Sequence, residues 1–282
     1  MQFISFVRRG ECGFGALVDG GVVNLTGRLA PGVDTLKAAI AADLLGAAAD
    51  YVAGRKAEHA LAELTLLPVI PDPAKILCVG VNYEMHREET KRAKVAHPTL
   101  FTRFADTLVA HGDVMVKPAA SDCLDFEGEL AVIIGRGGRN IAEADAMDHV
   151  AGYAPFNDGS VRDFQRHTSQ FVPGKNFPRT GAFGPALVTP DEIGDVSALP
   201  ISTVLNGEVV QQASLSDLIF SIPRVISYIT SFTTLQPGDV IATGTPGGVG
   251  ERRDPPLWMK CGDVVEVRIG KAGTLVNRIV AE

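Results

Sequence analysis

A chain of 282 residues that is 46% hydrophobic and 21% charged is long enough to bury a substantial core, which excludes a disordered or fibrous protein. Its formal charge of −7, without any basic stripe, argues against a nucleic-acid partner, since neutralising phosphates needs clustered Lys and Arg. The scattered cysteines Cys12, Cys78, Cys123 and Cys261 form no C-x-x-C pair, and no stretch approaches the roughly twenty apolar residues that span a bilayer. Reduced thiols, a cytoplasmic location and no membrane partner are the expectation.

In chain order, Phe3 to Val7 and Ala16 to Leu25 read as short strands turned by Asp19-Gly20-Gly21, and the Ala-rich run from Asp34 to Leu64 reads as helix interrupted at Gly46 and Gly54. Pro68-Val69-Ile70-Pro71-Asp72-Pro73 can continue neither a helix nor a central strand. It divides a small N-terminal domain, residues 1–71, from a main domain, residues 72–282. That domain opens with the buried strand Ile76 to Val79 and a charged helix for which Asn82 is the expected cap. Further strands are expected at Leu130 to Ile134, around the Asn206-Gly207 hairpin turn, and at Val240 to Ala242, Val264 to Ile269 and Leu275 to Val280. Leu218 to Phe232 reads as the clearest late helix, and Ser160 with Asp163 has capping-box-like spacing. Short strands with few helices, and no repeating βαβ unit, make the chain β-rich α+β.

The chemistry concentrates in Glu127-Gly128-Glu129, followed about thirty residues later by Asn157-Asp158. In a strand, residues two apart share a face, so Glu127 and Glu129 project together, opposite Leu130, Val132 and Ile134. A hard divalent cation relieves the repulsion between such carboxylates; an edge strand with two solvated glutamates is the alternative. His86 and Glu89, three apart on the charged helix, can meet so that the carboxylate orients the imidazole, or can be a surface pair. Arg162 with Gln165 or Arg166, one helical turn apart, can present a bidentate fork to a carboxylate. The loop Gly244-Thr245-Pro246-Gly247-Gly248-Val249-Gly250 lacks the Lys-Ser/Thr of a nucleotide loop, so nucleotide binding is not expected.

Taken together, Val79-Gly80-Val81-Asn82-Tyr83 with His86 and Glu89, Asp125-Phe126-Glu127-Gly128-Glu129-Leu130-Ala131, Asn157-Asp158, Arg162-Asp163-Phe164-Gln165, Gly174-Lys175, Asn206-Gly207-Glu208 and the 244–250 loop resemble the fumarylacetoacetate hydrolase family. The resemblance spans roughly residues 72–282. It implies a mixed β-sandwich roll or barrel of the fumarylacetoacetate hydrolase C-terminal type, behind a small N-terminal α/β domain, and a homodimer. It also implies Mg²⁺ or Mn²⁺ on Glu127, Glu129 and Asp158, with Lys175 beside the metal and supporting chemistry more than folding. Arg162 and Gln165 would hold a 2-oxo acid substrate, Thr245 its carboxylate end, and His86 and Glu89 would form a catalytic lid dyad. Hydrolysis of the C–C bond of an acylpyruvate-like diketo acid, through an enolate stabilised by the cation, is the expected activity. An oxaloacetate-type decarboxylase or a 2-hydroxy-diene-dioate isomerase is the alternative in kind, and a metal-stabilised binding protein without turnover the alternative in class. The family more often reads Asn-Asp-Val-Ser/Thr-Ala-Arg-Asp. Gly159, Val161 and the stretch Arg166-His167-Thr168-Ser169-Gln170 depart from that pattern beside the expected substrate pocket.

Overall fold

The computed structural model describes residues 1–282. The centre of the molecule is the antiparallel pair Gly128–Ile134 and Val150–Asn157. From that pair one mixed sheet extends through Leu187–Val188 to the N-terminal strands Gln2–Arg8 and Glu11–Val18. In the other direction it runs through Val240–Ala242 and Ile76–Gly80 to an edge strand, Thr99–Arg103. A second sheet, ordered Glu208–Ser214, Pro200–Leu205, Val264–Ile269, Gly273–Ala281 and Val114–Lys117, completes the sandwich. Neither sheet closes, so the roll is open rather than a barrel. No helix is long and apolar enough to cross a membrane.

The alternation of Gly128–Ile134 assigns its two faces. Leu130, Val132 and Ile134 share a core with Ile201, Val267, Leu275 and Ile279 of the second sheet. Ala131 and Ile133 pack instead with Phe3, Phe14, Leu25 and Ile40 from the N-terminal residues. Apolar cover on both faces makes this a central strand, not the half-solvated edge that two glutamates could have suggested. The N-terminal residues 1–71 thus share both a sheet and a core with the rest of the chain.

Several local expectations are corrected. The Ala-rich run forms only Leu36–Ala41 and Leu45–Val52 and is back in the sheet at His59–Ala60. Its break falls at Asp43, at φ 55°, while Gly46 lies inside the second helix. The late helix begins at Ile222, where the Ser221 hydroxyl accepts from the Arg224 amide and Pro223 occupies the first turn, which tolerates it. Ser160 and Asp163 form no capping box: the Ser160 hydroxyl donates to the Asp158 carbonyl and Asp163 accepts from Ser121.

Asn82 does not cap the helix Glu84–Glu89 either. Wholly buried, it donates Nδ2 to the carbonyls of Phe220 (3.0 Å) and Thr243 (2.8 Å) and accepts from the Phe220 amide (2.7 Å). It clamps three separate segments where the first buried strand leaves the sheet. Asn82→Ala leaves those three backbone groups, buried at Thr243 and half-buried at Phe220, without partners, so a stability loss of about 3 kcal/mol is expected. A urea midpoint within error of wild type would show that the clamp carries no such weight.

Candidate metal centre and active site

The register Gly128↔Asn157 brings the carboxylates together. Where the ladder ends, the Asp158 amide donates to the Glu127 carbonyl (2.8 Å) and the Glu127 amide to Asn157 Oδ1 (3.1 Å). Glu127 and Asp158 are therefore neighbours across two strands, and Glu129 joins them by sharing the face of Glu127. Ligand oxygens of Glu127, Glu129 and Asp158, all buried, lie within 4.8 Å of one another. The glycine between the glutamates is required by space: a Cβ on Gly128 would run into the Thr203 hydroxyl.

Three buried cations face this cluster. Lys175 Nζ donates at 2.6 Å both to Glu127 Oε2 and to Asp158 Oδ2. Arg103 holds the other Asp158 oxygen at 2.7 Å and is braced by the Gly159 carbonyl and the Thr107 and Thr180 hydroxyls. Arg162 reaches Glu127 Oε1 at 2.7 Å and Asp125 Oδ2 at 2.8 Å, and its Nη1 also donates to Gln165 Oε1 (2.9 Å). Asp125 additionally accepts from the amides of Gly250 and Glu251, tying the glycine loop to Arg162.

Four buried carboxylates, Asp125, Glu127, Glu129 and Asp158, are thus set against three cations, Arg103, Arg162 and Lys175. Glu129 is the one left out, with only the Gly244 amide on Oε2 at 2.8 Å. Burial first, then the charges of Asp158 and Glu127, pushes its pKa well above the usual range. Burial also works against Glu127, but Lys175 and Arg162 overcome it and bring that group down to about 2. Lys175 is raised: burial opposes its charge, and Asp158 and Glu127 outweigh the burial. A compact all-oxygen donor set one positive charge short of balance, with one carboxylate lacking a cation, fits a hard divalent ion.

The cluster forms the floor of a cleft of about 260 Å³. On the facing wall His86 Nδ1 lies 2.7 Å from Glu89 Oε1, and Glu89 Oε2 accepts from the Gly248 amide (2.9 Å), so the imidazole presents Nε2 as its free nitrogen. Thr245 lines the cleft, but its hydroxyl donates to the Gly128 carbonyl (3.0 Å) and accepts from Gln211 Nε2 (2.8 Å). Arg162, Gln165 and Lys175 line it as well, and Arg162 Nη2 is buried with no partner. Of the residues expected at the site, His86, Glu127, Glu129, Arg162, Gln165, Lys175 and Thr245 line this cleft, and Glu89 and Asp158 contact them directly. Sequence reasoning missed Arg103, the bracing role of Asp125, and Gln211. Gln211 Oε1 accepts from the Gly128 amide and the Thr203 hydroxyl, which fixes the extended backbone between the two glutamates. No local motif marks these residues, because their partners are distant in sequence.

Buried carboxylates at the end of a ladder, bridged by a lysine and overlooked by a His–Glu pair, make a donor set of the kind that suits a divalent cation. The chain belongs to the fumarylacetoacetate hydrolase family: residues 75–280 match the model for the fumarylacetoacetate (FAA) hydrolase C-terminal domain. Oxaloacetate tautomerase YisK of Bacillus subtilis (strain 168) is 42% identical over 225 residues, covering 78% of this chain and 75% of that one. Fumarylacetoacetate hydrolase from Exiguobacterium antarcticum superposes with a TM-score of 0.84 at 32% identity over 100% of both chains. Maleylpyruvate hydrolase from Sphingobium sp. SYK-6, solved with manganese(II) ion and pyruvate, gives 0.83 at 28% identity over 100% of this chain and 99% of that one.

Replacing the uncompensated carboxylate tests the charge balance. Glu129→Gln is expected to raise metal-free stability by about 1 kcal/mol, because a neutral amide replaces a buried group pressed by two like charges. Wild type should gain about 2.7 kcal/mol when free Mn²⁺ reaches a hundred times its dissociation constant, and the variant should gain little. Thermal unfolding with and without Mn²⁺ measures both effects; an equal Mn²⁺ response in the variant would exclude Glu129 as a ligand.

Proposed function

We propose that this protein is a divalent-metal-dependent enzyme that moves a proton, or breaks a C–C bond, at carbon 3 of a small 2-oxo acid. The observation that carries the reading is the Glu127–Glu129–Asp158 cluster, bridged by Lys175 and faced by the His86–Glu89 pair across one cleft. Mg²⁺ or Mn²⁺ held by the three carboxylates would polarise the 2-oxo group as a Lewis acid.

The remaining work falls to the chain's own side chains. Lys175 places a fixed positive charge where negative charge builds as the carbon 3 bond breaks. Arg162, with an unpartnered Nη2, and Gln165 beside it receive the substrate's oxygen atoms. His86 takes up or returns a proton through Nε2, with Glu89, pinned by Gly248, keeping Nδ1 occupied. Thr245 holds the floor through Gly128, and its hydroxyl reaches a substrate carboxylate only by giving up that bond.

Tautomerisation of an oxaloacetate-like acid stands as the first reading, ahead of the acylpyruvate hydrolysis expected from the motifs. An oxaloacetate tautomerase is among the relatives, at 42% identity over 225 residues, and proton transfer asks only for the base that His86 provides. Hydrolysis is the second reading, favoured by the likeness to maleylpyruvate hydrolase and by a dyad able to activate water. Assays with Mg²⁺ and Mn²⁺ on oxaloacetate, acylpyruvates, fumarylpyruvate and hydroxydiene dioates separate them. Faster enol–keto interconversion without bond cleavage supports the first, and loss of acylpyruvate absorbance supports the second. No metal-dependent turnover of any of them would refute the proposal.

Two variants probe the roles. His86→Ala is expected to lower turnover by about 10²–10⁴, the usual range for a lost general base, with metal affinity unchanged. If its turnover matched wild type, the imidazole would not be the proton carrier. Lys175→Met should cost about 10²–10³ in turnover. The bridge that Lys175 makes to Glu127 and Asp158 also bears on folding. Its removal leaves Glu127 and Asp158 facing each other without their shared cation, so metal-free stability should fall by about 3 kcal/mol or more and recover largely with Mn²⁺. A melting temperature independent of Mn²⁺ in that variant would contradict the bridge.

A further inference from the structure

Five cationic side chains line the cleft, and four of them are engaged by carboxylates. Lys175 is held by Glu127 and Asp158, and Arg162 by Asp125 and Glu127. At the rim, Arg166 lies 2.5 Å from Glu251 and Arg252 lies 3.8 Å from the same carboxylate. Arg92 is the exception. It lines the cleft with its guanidinium 5.3 Å from the Phe171 ring centre, and no carboxylate lies within ion-pair distance. Its backbone is nevertheless fixed: its amide donates to the Arg87 carbonyl (3.0 Å) and its carbonyl accepts from Arg87 Nη1 (2.7 Å). Thr168 and Ser169, from the stretch that departs from the family pattern, line the same cleft and bring hydroxyl groups.

An arginine held in place over an aromatic face, with its fork unused, is prepared for a planar oxyanion. The cleft volume of about 260 Å³ restricts that anion to the far end of a short ligand. In a chain of net charge −7, an unmatched guanidinium at the entrance also offsets the long-range repulsion of a doubly charged ligand.

We infer that Arg92, assisted by Thr168 and Ser169, receives the distal carboxylate of a short 2-oxo diacid and so determines specificity against monocarboxylic 2-oxo acids. This deepens the proposed function and rests on the metal cleft binding the 2-oxo end.

Oxamate and N-oxalylglycine test it without turnover, since they share the 2-oxo acid end and differ by a distal carboxymethyl group. Dissociation constants for both are measured by calorimetry on the Mn²⁺-loaded full chain, as wild type, Arg92→Met and Arg92→Lys. Wild type should bind N-oxalylglycine more tightly than oxamate. Arg92→Met should cut that preference about tenfold, as for one partly exposed charge-assisted contact, with oxamate affinity changed less than about threefold. Arg92→Lys should keep part of the preference, having the charge without the fork. A wild-type preference at or below unity, or one unchanged in Arg92→Met, overturns the assignment of Arg92 alone. Failure of Mn²⁺-loaded wild type to bind either compound overturns the 2-oxo acid reading and this inference with it.

Discussion

The pairing of Gly128 with Asn157 is the constraint on which the rest of the site depends. It sets Glu127 against Asp158 at the end of a ladder whose two faces are already committed to apolar cores, so the carboxylates meet solvent only through the cleft. Burying like charges together is costly unless cations are buried with them. Arg103, Arg162 and Lys175, all buried, are that compensation. Each comes from a different segment, and each is itself tied down, by Thr107 and Thr180, by Asp125, and by the two acids that Lys175 bridges. The electrostatic frame therefore holds together strands and turns far apart in the chain.

That frame also bears on how much of the protein can be read from its residues. Glu127-Gly128-Glu129 and Asn157-Asp158 were legible because period-two geometry and like-charge repulsion act locally, and the order of separated motifs carried the family. The strand Val150–Asn157, which supplies Asp158, was not identified. In that strand Gly152 is needed where Leu187 and Val188 pack close, and Pro155 sits opposite Leu130. Asn82 was read as a cap because its position suits one, whereas its amide is used by Phe220 and Thr243, more than 130 residues away. Arg103 had no legible signal: its partners, from Thr107 to Thr180, are assembled only by the fold.

The glycine loop 244–250 links the two halves of the site. Gly244 contacts Glu129, Gln211 holds Pro246 and Thr245, Gly248 holds Glu89, and Gly250 is fixed by Asp125. A displacement of the loop is therefore felt at once by the carboxylate cluster and by the His86–Glu89 pair. Preorganisation of this kind keeps the His86–Glu89 pair and the carboxylate cluster at fixed separation without a rigid strand between them.

The central ladder and the cleft rim obey different rules of change. An insertion or deletion of one residue within Gly128–Ile134 would exchange the strand's faces, turning Glu129 into a core and a leucine toward the cleft. The 166–170 stretch and the segment carrying Arg92 have no such parity to keep, because they are exposed and largely outside the ladders. Changes in ligand preference can accumulate there one side chain at a time while the oxygen cluster stays intact. A scaffold divided in this way lets one carboxylate cluster be kept while the walls that face it change.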